Sequence, residues 1–194
     1  MSSSLIGIVL CGGQSSRMGT DKSQLQWGKT SLAELAYSKL TPYCDKVYFS
    51  INEDQQNLGL QNPILDNYTQ EGPLTGIISA MRATEQSLMV VAVDMPLITS
   101  KTLERLLEHR DWDLLSTTHY NKKEGFWQPF PSIWEIEALP CLEEYFNSGE
   151  RSFQKFLNKF GHQQVPMEDS KEFMNLNTIE EYEKLLTLQN QSSE

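Results

Sequence analysis

Residues 10–23 read LCGGQSSRMGTDKS. They follow a short apolar run, Leu5–Leu10, whose β-branched residues suit a strand buried on both faces. The stretch holds three glycines (Gly12, Gly13, Gly19) and two basic side chains, Arg17 and Lys22. Glycine lets backbone N–H groups approach an anion with no Cβ between them, and the bases add fixed positive charge. A tight strand-to-helix turn with solvated bases reads the same way, so the glycines alone leave both readings open. Two phosphate motifs are excluded. A Walker A loop needs GxxxxGK[ST], but Gly13 and Gly19 enclose five residues and Thr20 follows. A dinucleotide fingerprint needs GxG, which does not occur.

Outward from this loop, the pattern alternates. Ser31–Glu34 is a capping box opening a helix to Leu40. Lys46–Ile51 reads as a second strand and Ile64–Leu65 as a short third. Pro73 suits a first helical position, with Leu74, Ile77, Ile78 and Met81 at helical spacing behind it. Leu88–Val93 reads as a central strand ending in Asp94-Met95-Pro96. Ser100 caps a helix bearing Leu103, Leu106 and Leu107, and Leu114–Thr118 is the next strand. This order predicts an α/β fold: a doubly wound, mostly parallel sheet with helices on both faces and right-handed crossovers. After Thr118, Pro129 and Pro131 predict a turn and then an edge or hairpin strand. Helices are expected over Ile136–Asn147 and Ser152–Phe160, with Gly161 as a stop, and from a second capping box at Thr178–Glu181. One domain over 1–188 is expected, with 189–194 a frayed polar tail.

A net charge of −10 argues against nucleic acid as a partner, but not against a small phosphorylated ligand in a local basic pocket. The three cysteines, Cys11, Cys44 and Cys141, form no CxxC pair, which points to a reduced compartment and no zinc cluster. The N-terminus lacks a basic n-region, and its apolar run is too short for a signal peptide or membrane span, so a cytoplasmic location is expected. His109, His119 and His162 lack metal spacing and read as surface or turn residues. Phe126, Trp127 and Trp134 read as core or lid packing, with Trp127 also a candidate liner of a second-substrate pocket.

Ligands of parallel sheets gather at the carboxyl ends of strands. Asp94 stands at such an end, placed to hold Mg²⁺, which takes one or two carboxylates plus substrate phosphates. The same residue also suits a turn that bonds its own backbone. Asn175 and Asn177 share a face if their segment is extended, or else cap the last helix.

The opening stretch resembles LxGGxSxRMGxDK, the signature of molybdenum cofactor guanylyltransferases, within the nucleotidyltransferase superfamily of Rossmann-like sugar-nucleotide pyrophosphorylases. Cys11 departs from the alanine usual there. "INEDQ" with Asn52, "ILDNYTQEGPLTGI" with Asp66 and Gly72, "VAVDMPLI" with Asp94, "SGERSFQKF" and "FMNLNTIEEY" resemble further family segments in order. The resemblance implies a nucleotide-diphospho-sugar transferase-like three-layer sandwich. It implies nucleotide contacts at Leu10, Cys11, Gly12, Gly13, Lys22, Asn52, Asp66, Gly72 and Asp94. Arg17, Lys22 and Asp94 are implied as catalytic, Asp94 as the Mg²⁺ ligand, and Asn175 and Asn177 as the pterin side. The implied substrates are GTP and molybdopterin, with transient contacts to molybdopterin-delivering proteins or molybdoenzymes.

Three rivals stand beside this reading: a cytidylyltransferase acting on the same pterin, a sugar-1-phosphate nucleotidyltransferase, and a non-catalytic nucleotide-binding module. Gly12-Gly13 and the Asn-Leu-Asn ending separate the chain from the cytidylyl group, which resembles LAAGxSxRMG and closes with aspartates.

Overall fold

The computed structural model describes residues 4–12, 21–66, 68 and 72–191. Six consecutive buried residues, Leu5–Leu10, form β1, which hydrogen-bonds a parallel strand on each side. A strand buried on both faces has no need of polar alternation, which is why this run is continuously apolar. Along the chain β1 is followed by a small ribbon of β2 (Gln26–Trp27) and β3 (Thr30–Ser31), then α1 (Leu32–Leu40), β4 (Lys46–Ile51) and β5 (Pro63–Leu65). Next come α2 (Pro73–Thr84), β6 (Ser87–Ala92), α3 (Ser100–Glu108), β7 (Ser116–Asn121) and β8 (Phe126–Trp134). The chain continues through α4 (Ala138–Asn147), α5 (Phe153–Lys159), β9 (Gln163–Pro166) and α6 (Ile179–Gln191).

Among the described residues, the main sheet has seven strands in the order β5-β4-β1-β6-β8-β7-β9. Pairing is parallel except at β8, which runs antiparallel to both neighbours. The expected doubly wound, mostly parallel sheet is therefore present. The chain winds from β1 outward to β5, then returns through α2 to β6 on the other side of β1. The strand order thus reverses between β1 and β6, where such sheets open a crevice.

Two residues of β1 show that helices cover both faces. A Cβ on Gly7 would meet the Leu40 side chain of α1 at 3.2 Å, so this face lies under α1. Leu10, on the opposite face by strand alternation, packs beneath Gly76 of α2: a Cβ there would lie 2.9 Å from Leu10 Cδ2 and 2.7 Å from Ser50 Oγ. Local signals behave as read. Ser31 and Glu34 form the reciprocal capping box of α1, Pro73 sits at the start of α2, and Thr178 and Glu181 exchange bonds ahead of α6. The cap of α3 is Thr99, one residue before Ser100.

Three features differ from expectation. β8 is the hairpin partner of β7 but not an edge: it lies between β6 and β7. Its prolines are tolerated because the ladder skips them. Thr118 pairs with Ser132 and His119 with Gln128, leaving residues 129–131 as a bulge. The sheet edge is instead β9, whose sequence QQVP carries too little pattern to announce a strand. Finally, His119 is not a surface residue. It is 1% exposed, edge-on to Phe173 at 4.7 Å, and its burial lowers its pKa to about 4. His162 is half-buried beside Trp127, Trp134 and Phe156, with Nδ1 2.8 Å from Ser116 Oγ, and burial lowers it also to about 4.

Both histidines stay neutral in the folded chain and become charged near pH 6.5 when it unfolds. Their contribution is complete above pH 6.5 and is lost as pH falls toward 4, up to about 3 kcal/mol for each. Urea unfolding between pH 7 and 4 shows this slope, and His119→Leu flattens it; an unchanged slope would remove His119 as a cause. Gly76→Val drives branched atoms into Leu10 and Ser50, and an overpacking loss of about 2–3 kcal/mol is expected in the same assay.

Candidate active site

β1 and β6 carry the site because their parallel register continues past both strand ends. Val93 N–H donates to Leu10 O at 3.0 Å, and Cys11 N–H donates to Ser50 O at 2.9 Å. Leu10, Cys11 and Gly12 thereby emerge beside Ala92, Val93 and Asp94, and the six line one cleft. Pro73 closes it from the start of α2, Phe130 from the β8 bulge, and Asn175 from the segment before α6. Leu176 N–H donates to Asp94 O at 2.8 Å, which pins Asn175 to this place although it lies far along the chain.

Lys22 enters from a short 3-10 turn, Lys22–Gln24, capped by Asp21. Its Nζ donates to Asp94 Oδ2 at 3.1 Å, and both side chains are under one-fifth exposed. A single carboxylate and a single ammonium thus neutralise one another inside the cleft. The turn after Asp94 is held from below by Lys39 of α1, whose Nζ donates to Pro96 O at 2.5 Å. Burial lowers the Lys39 pKa to about 8, against the opposing pull of Glu172. Glu172 accepts from Thr99 and Thr102, tying the start of α3 to the segment that leads to Asn175. The Cys11 thiol is buried, which raises its pKa far above the ordinary thiol range, so it is packing and not a nucleophile.

The structure brings together Leu10, Cys11, Gly12, Lys22, Asp94 and Asn175. Gly13 and Arg17 lie outside the described residues. Asn52, Asp66 and Gly72 follow β4 and β5 and precede α2, on the same carboxyl edge of the sheet but not among the cleft-lining residues. The Asn52 side chain caps the 3-10 turn Glu53–Leu58. Asp66 accepts from Tyr68 N, Thr75 Oγ1 and Ser79 Oγ, which fixes the base of α2. Asn177 is exposed, with its N–H bonded to Glu181 Oε2 at 2.8 Å at the head of α6. Trp127 does not line the cleft: it is 5% exposed, and its Nε1 donates to Asn158. Phe130 takes that place. Its only sequence signal is its position between Pro129 and Pro131, which mark the bulge that presents it.

Among the described residues no three His, Cys, Asp or Glu gather as a metal cluster. Asp94 lines the cleft with one carboxylate, and Mg²⁺ accepts one or two protein carboxylates when phosphate oxygens and water complete its shell, so the residue fits that ion. No described helix is long and apolar enough to cross a membrane.

Comparison with known proteins places the chain in a family. The MobA-like NTP transferase domain matches residues 7–165. A molybdenum cofactor guanylyltransferase of Pseudomonas putida is 32% identical over 162 residues, 77% of this chain and 80% of that protein. A molybdenum cofactor biosynthesis bifunctional protein of Synechocystis sp. is 28% identical over 182 residues; the chain spans about half of it, 52%. In fold, the chain is similar to molybdopterin-guanine dinucleotide biosynthesis protein A from Archaeoglobus fulgidus, with a TM-score of 0.80, 22% identity, and coverage of 96% and 99% of the two chains.

Lys22→Ala tests the cleft as an anion site. An ion pair of this exposure contributes about 1 kcal/mol or less, so the melting temperature moves little. Affinity for inorganic triphosphate in the presence of Mg²⁺ is expected to fall at least about tenfold, the loss of one charged hydrogen bond. Unchanged affinity in calorimetry would take Lys22 out of the site.

Proposed function

The chain belongs to the MobA-like NTP transferase family, and from that premise we propose that it transfers GMP from GTP to the terminal phosphate of molybdopterin. The products are the guanine dinucleotide form of the pterin cofactor and pyrophosphate. The chain is a nucleotidyltransferase; the observation that carries this choice of substrates is the meeting of Gly12, Lys22, Asp94 and Asn175 in one cleft at the β1/β6 reversal.

In this reading a terminal phosphate oxygen of the pterin forms a bond to the α-phosphorus of GTP. The bond to the bridging oxygen breaks, and pyrophosphate leaves with its electron pair. The attacking phosphate is already an anion at neutral pH, so no general base is needed, and catalysis is positioning plus charge neutralisation. The Gly12 backbone and Lys22 meet the triphosphate; Gly13 and Arg17, outside the described residues, are assigned to it by motif alone. Leu10, Cys11, Asn52, Asp66 and Gly72 form the nucleotide side along the carboxyl edge. Asn175 and Asn177 serve the pterin side, where Phe130 offers an apolar wall. Asp94 would hold Mg²⁺, and that ion would supply positive charge against the departing pyrophosphate. Lys22, already within hydrogen-bond reach of Asp94, keeps its ammonium beside the same phosphates. A cytoplasmic location and passing contact with the proteins that deliver the pterin or receive the product complete the proposal.

The test supplies molybdopterin and Mg²⁺ with GTP, CTP or ATP and identifies the dinucleotide by mass. A guanine adduct with stoichiometric pyrophosphate is expected. Preference for CTP would overturn the choice of base, and absence of pyrophosphate with every nucleotide would overturn the transfer itself. Asp94→Asn keeps shape and removes charge. Turnover is expected to fall by about 10²–10³, or about 3–4 kcal/mol, with GTP still docking. Wild-type turnover across a magnesium titration would exclude Asp94 as the ligand.

A further inference from the structure

Gln55 is a buried polar side chain to which no role has been given. It is 3% exposed and stands in the 3-10 turn after β4. Its carboxamide is fully used. Asn52 N–H donates to its Oε1 at 3.0 Å, while Gln55 N–H donates to Asn52 Oδ1 at 3.1 Å. That reciprocal pair fixes which end of the amide faces which way. Its Nε2 therefore points to the other side, where it donates to Cys11 O at 3.0 Å and to Asp21 Oδ2 at 2.7 Å.

Cys11 and Asp21 are the two stems of the glycine loop. One leaves β1, and the other opens the turn that carries Lys22. No backbone bond between these stems appears among the described residues; a single amide group spans them. Asp21 Oδ1 accepts from Ser23 N–H at 2.9 Å, so the carboxylate gripped by Gln55 also sets the start of the Lys22 turn. Cys11 is likewise held twice, by Gln55 through its carbonyl and by Ser50 through its N–H. The spacing between Gly12 and Lys22 across the cleft thus depends on a residue that is not itself among the cleft-lining residues.

We propose that Gln55 is a positioning residue: it clamps the two stems of the glycine loop, so that the Gly12 backbone and the Lys22 ammonium converge on the triphosphate. The proposal rests on the reading of this cleft as a nucleotide site. It predicts an electrostatic polarity as well as a distance. A glutamate at 55 is isosteric, but it sets a second carboxylate against Asp21 and leaves Cys11 O without its donor. An asparagine at 21 sets two amide donors face to face. With both changes the amide at 21 donates to the carboxylate at 55, so the bond between 55 and 21 re-forms while Cys11 O stays without its donor.

The experiment is a double-mutant cycle of Gln55→Glu, Asp21→Asn and the pair, read by the Kd for Mg·GTP, by kcat at saturation and by thermal melting. Each single change is expected to weaken nucleotide binding about tenfold or more, with kcat at saturation within about threefold of wild type, and the pair to recover, relative to Gln55→Glu, the part that the bond between 55 and 21 contributes. Gln55→Met, uncharged and of similar length, is expected to weaken binding likewise and serves if Gln55→Glu does not fold. A folded Gln55 variant with a lower melting temperature but unchanged Kd would make Gln55 a stabilising residue only and overturn the proposal. So would a double variant that binds no better than Gln55→Glu alone. Hydrogen exchange of Gly12 and Ser23 without nucleotide separates the two readings. If wild type binds no Mg·GTP, the functional reading fails; faster exchange in Gln55→Glu then sustains the clamp, and unchanged exchange removes it.

Discussion

The parallel pairing of β1 with β6 is the constraint on which the rest depends. It continues one step beyond the strands, in the bond from Val93 N–H to Leu10 O at 3.0 Å. Because parallel strands end in the same direction, a glycine stretch and an acidic residue that are eighty residues apart in sequence, roughly, must emerge side by side. That juxtaposition creates an electrostatic problem. A carboxylate facing a triphosphate is repelled unless cations stand between them. The protein provides one from its own chain, Lys22 at 3.1 Å from Asp94. Three contacts behind the cleft brace this arrangement: Lys39 beneath the Asp94 turn, Leu176 on the Asp94 carbonyl, and Gln55 across the loop stems.

The β5-β4-β1-β6 half was legible because its signals are local. A continuous apolar run followed by glycines, a capping box at Ser31, a proline opening α2 and a carboxylate ending a hydrophobic strand each carry meaning within a few residues. The other half was not, because its structure is decided by pairing over long separations. Pro129 and Pro131 argue correctly that no ladder bonds form where they sit; they do not reveal that the strand resumes at Ser132 between β6 and β7. QQVP becomes a strand only because β7 offers it an edge. His119 looks like a polar turn residue until β9 and Phe173 cover it.

The same limit applied within the site. Asp94 and Lys22 were legible from motif and position, whereas Gln55, Lys39 and Phe130 were not. Each of these three acts through a neighbour that is distant in sequence. Gln55 is an ordinary glutamine until its amide is seen between Cys11 O and Asp21 Oδ2, and Lys39 an ordinary helix lysine until Pro96 O is found above it. Asp66 shows the converse. Its motif singled it out, and its oxygens bond Thr75 and Ser79, so whatever it contributes to a ligand it makes while anchoring α2.

The two halves of the sheet also divide the physical work. The β5-β4-β1-β6 side carries parallel strands whose loops face the cleft. The β8-β7-β9 side carries the aromatic packing, where Trp134, Phe153 and Phe156 meet His162. Its histidines are held neutral by burial, so acid weakens the packing on this side. The connection between the halves is β8, which pairs with β6 through Ser132–Trp134 and then releases its prolines to place Phe130 in the cleft. Charging His119 or His162 therefore acts on the folded population, and with it on the strand that presents Phe130.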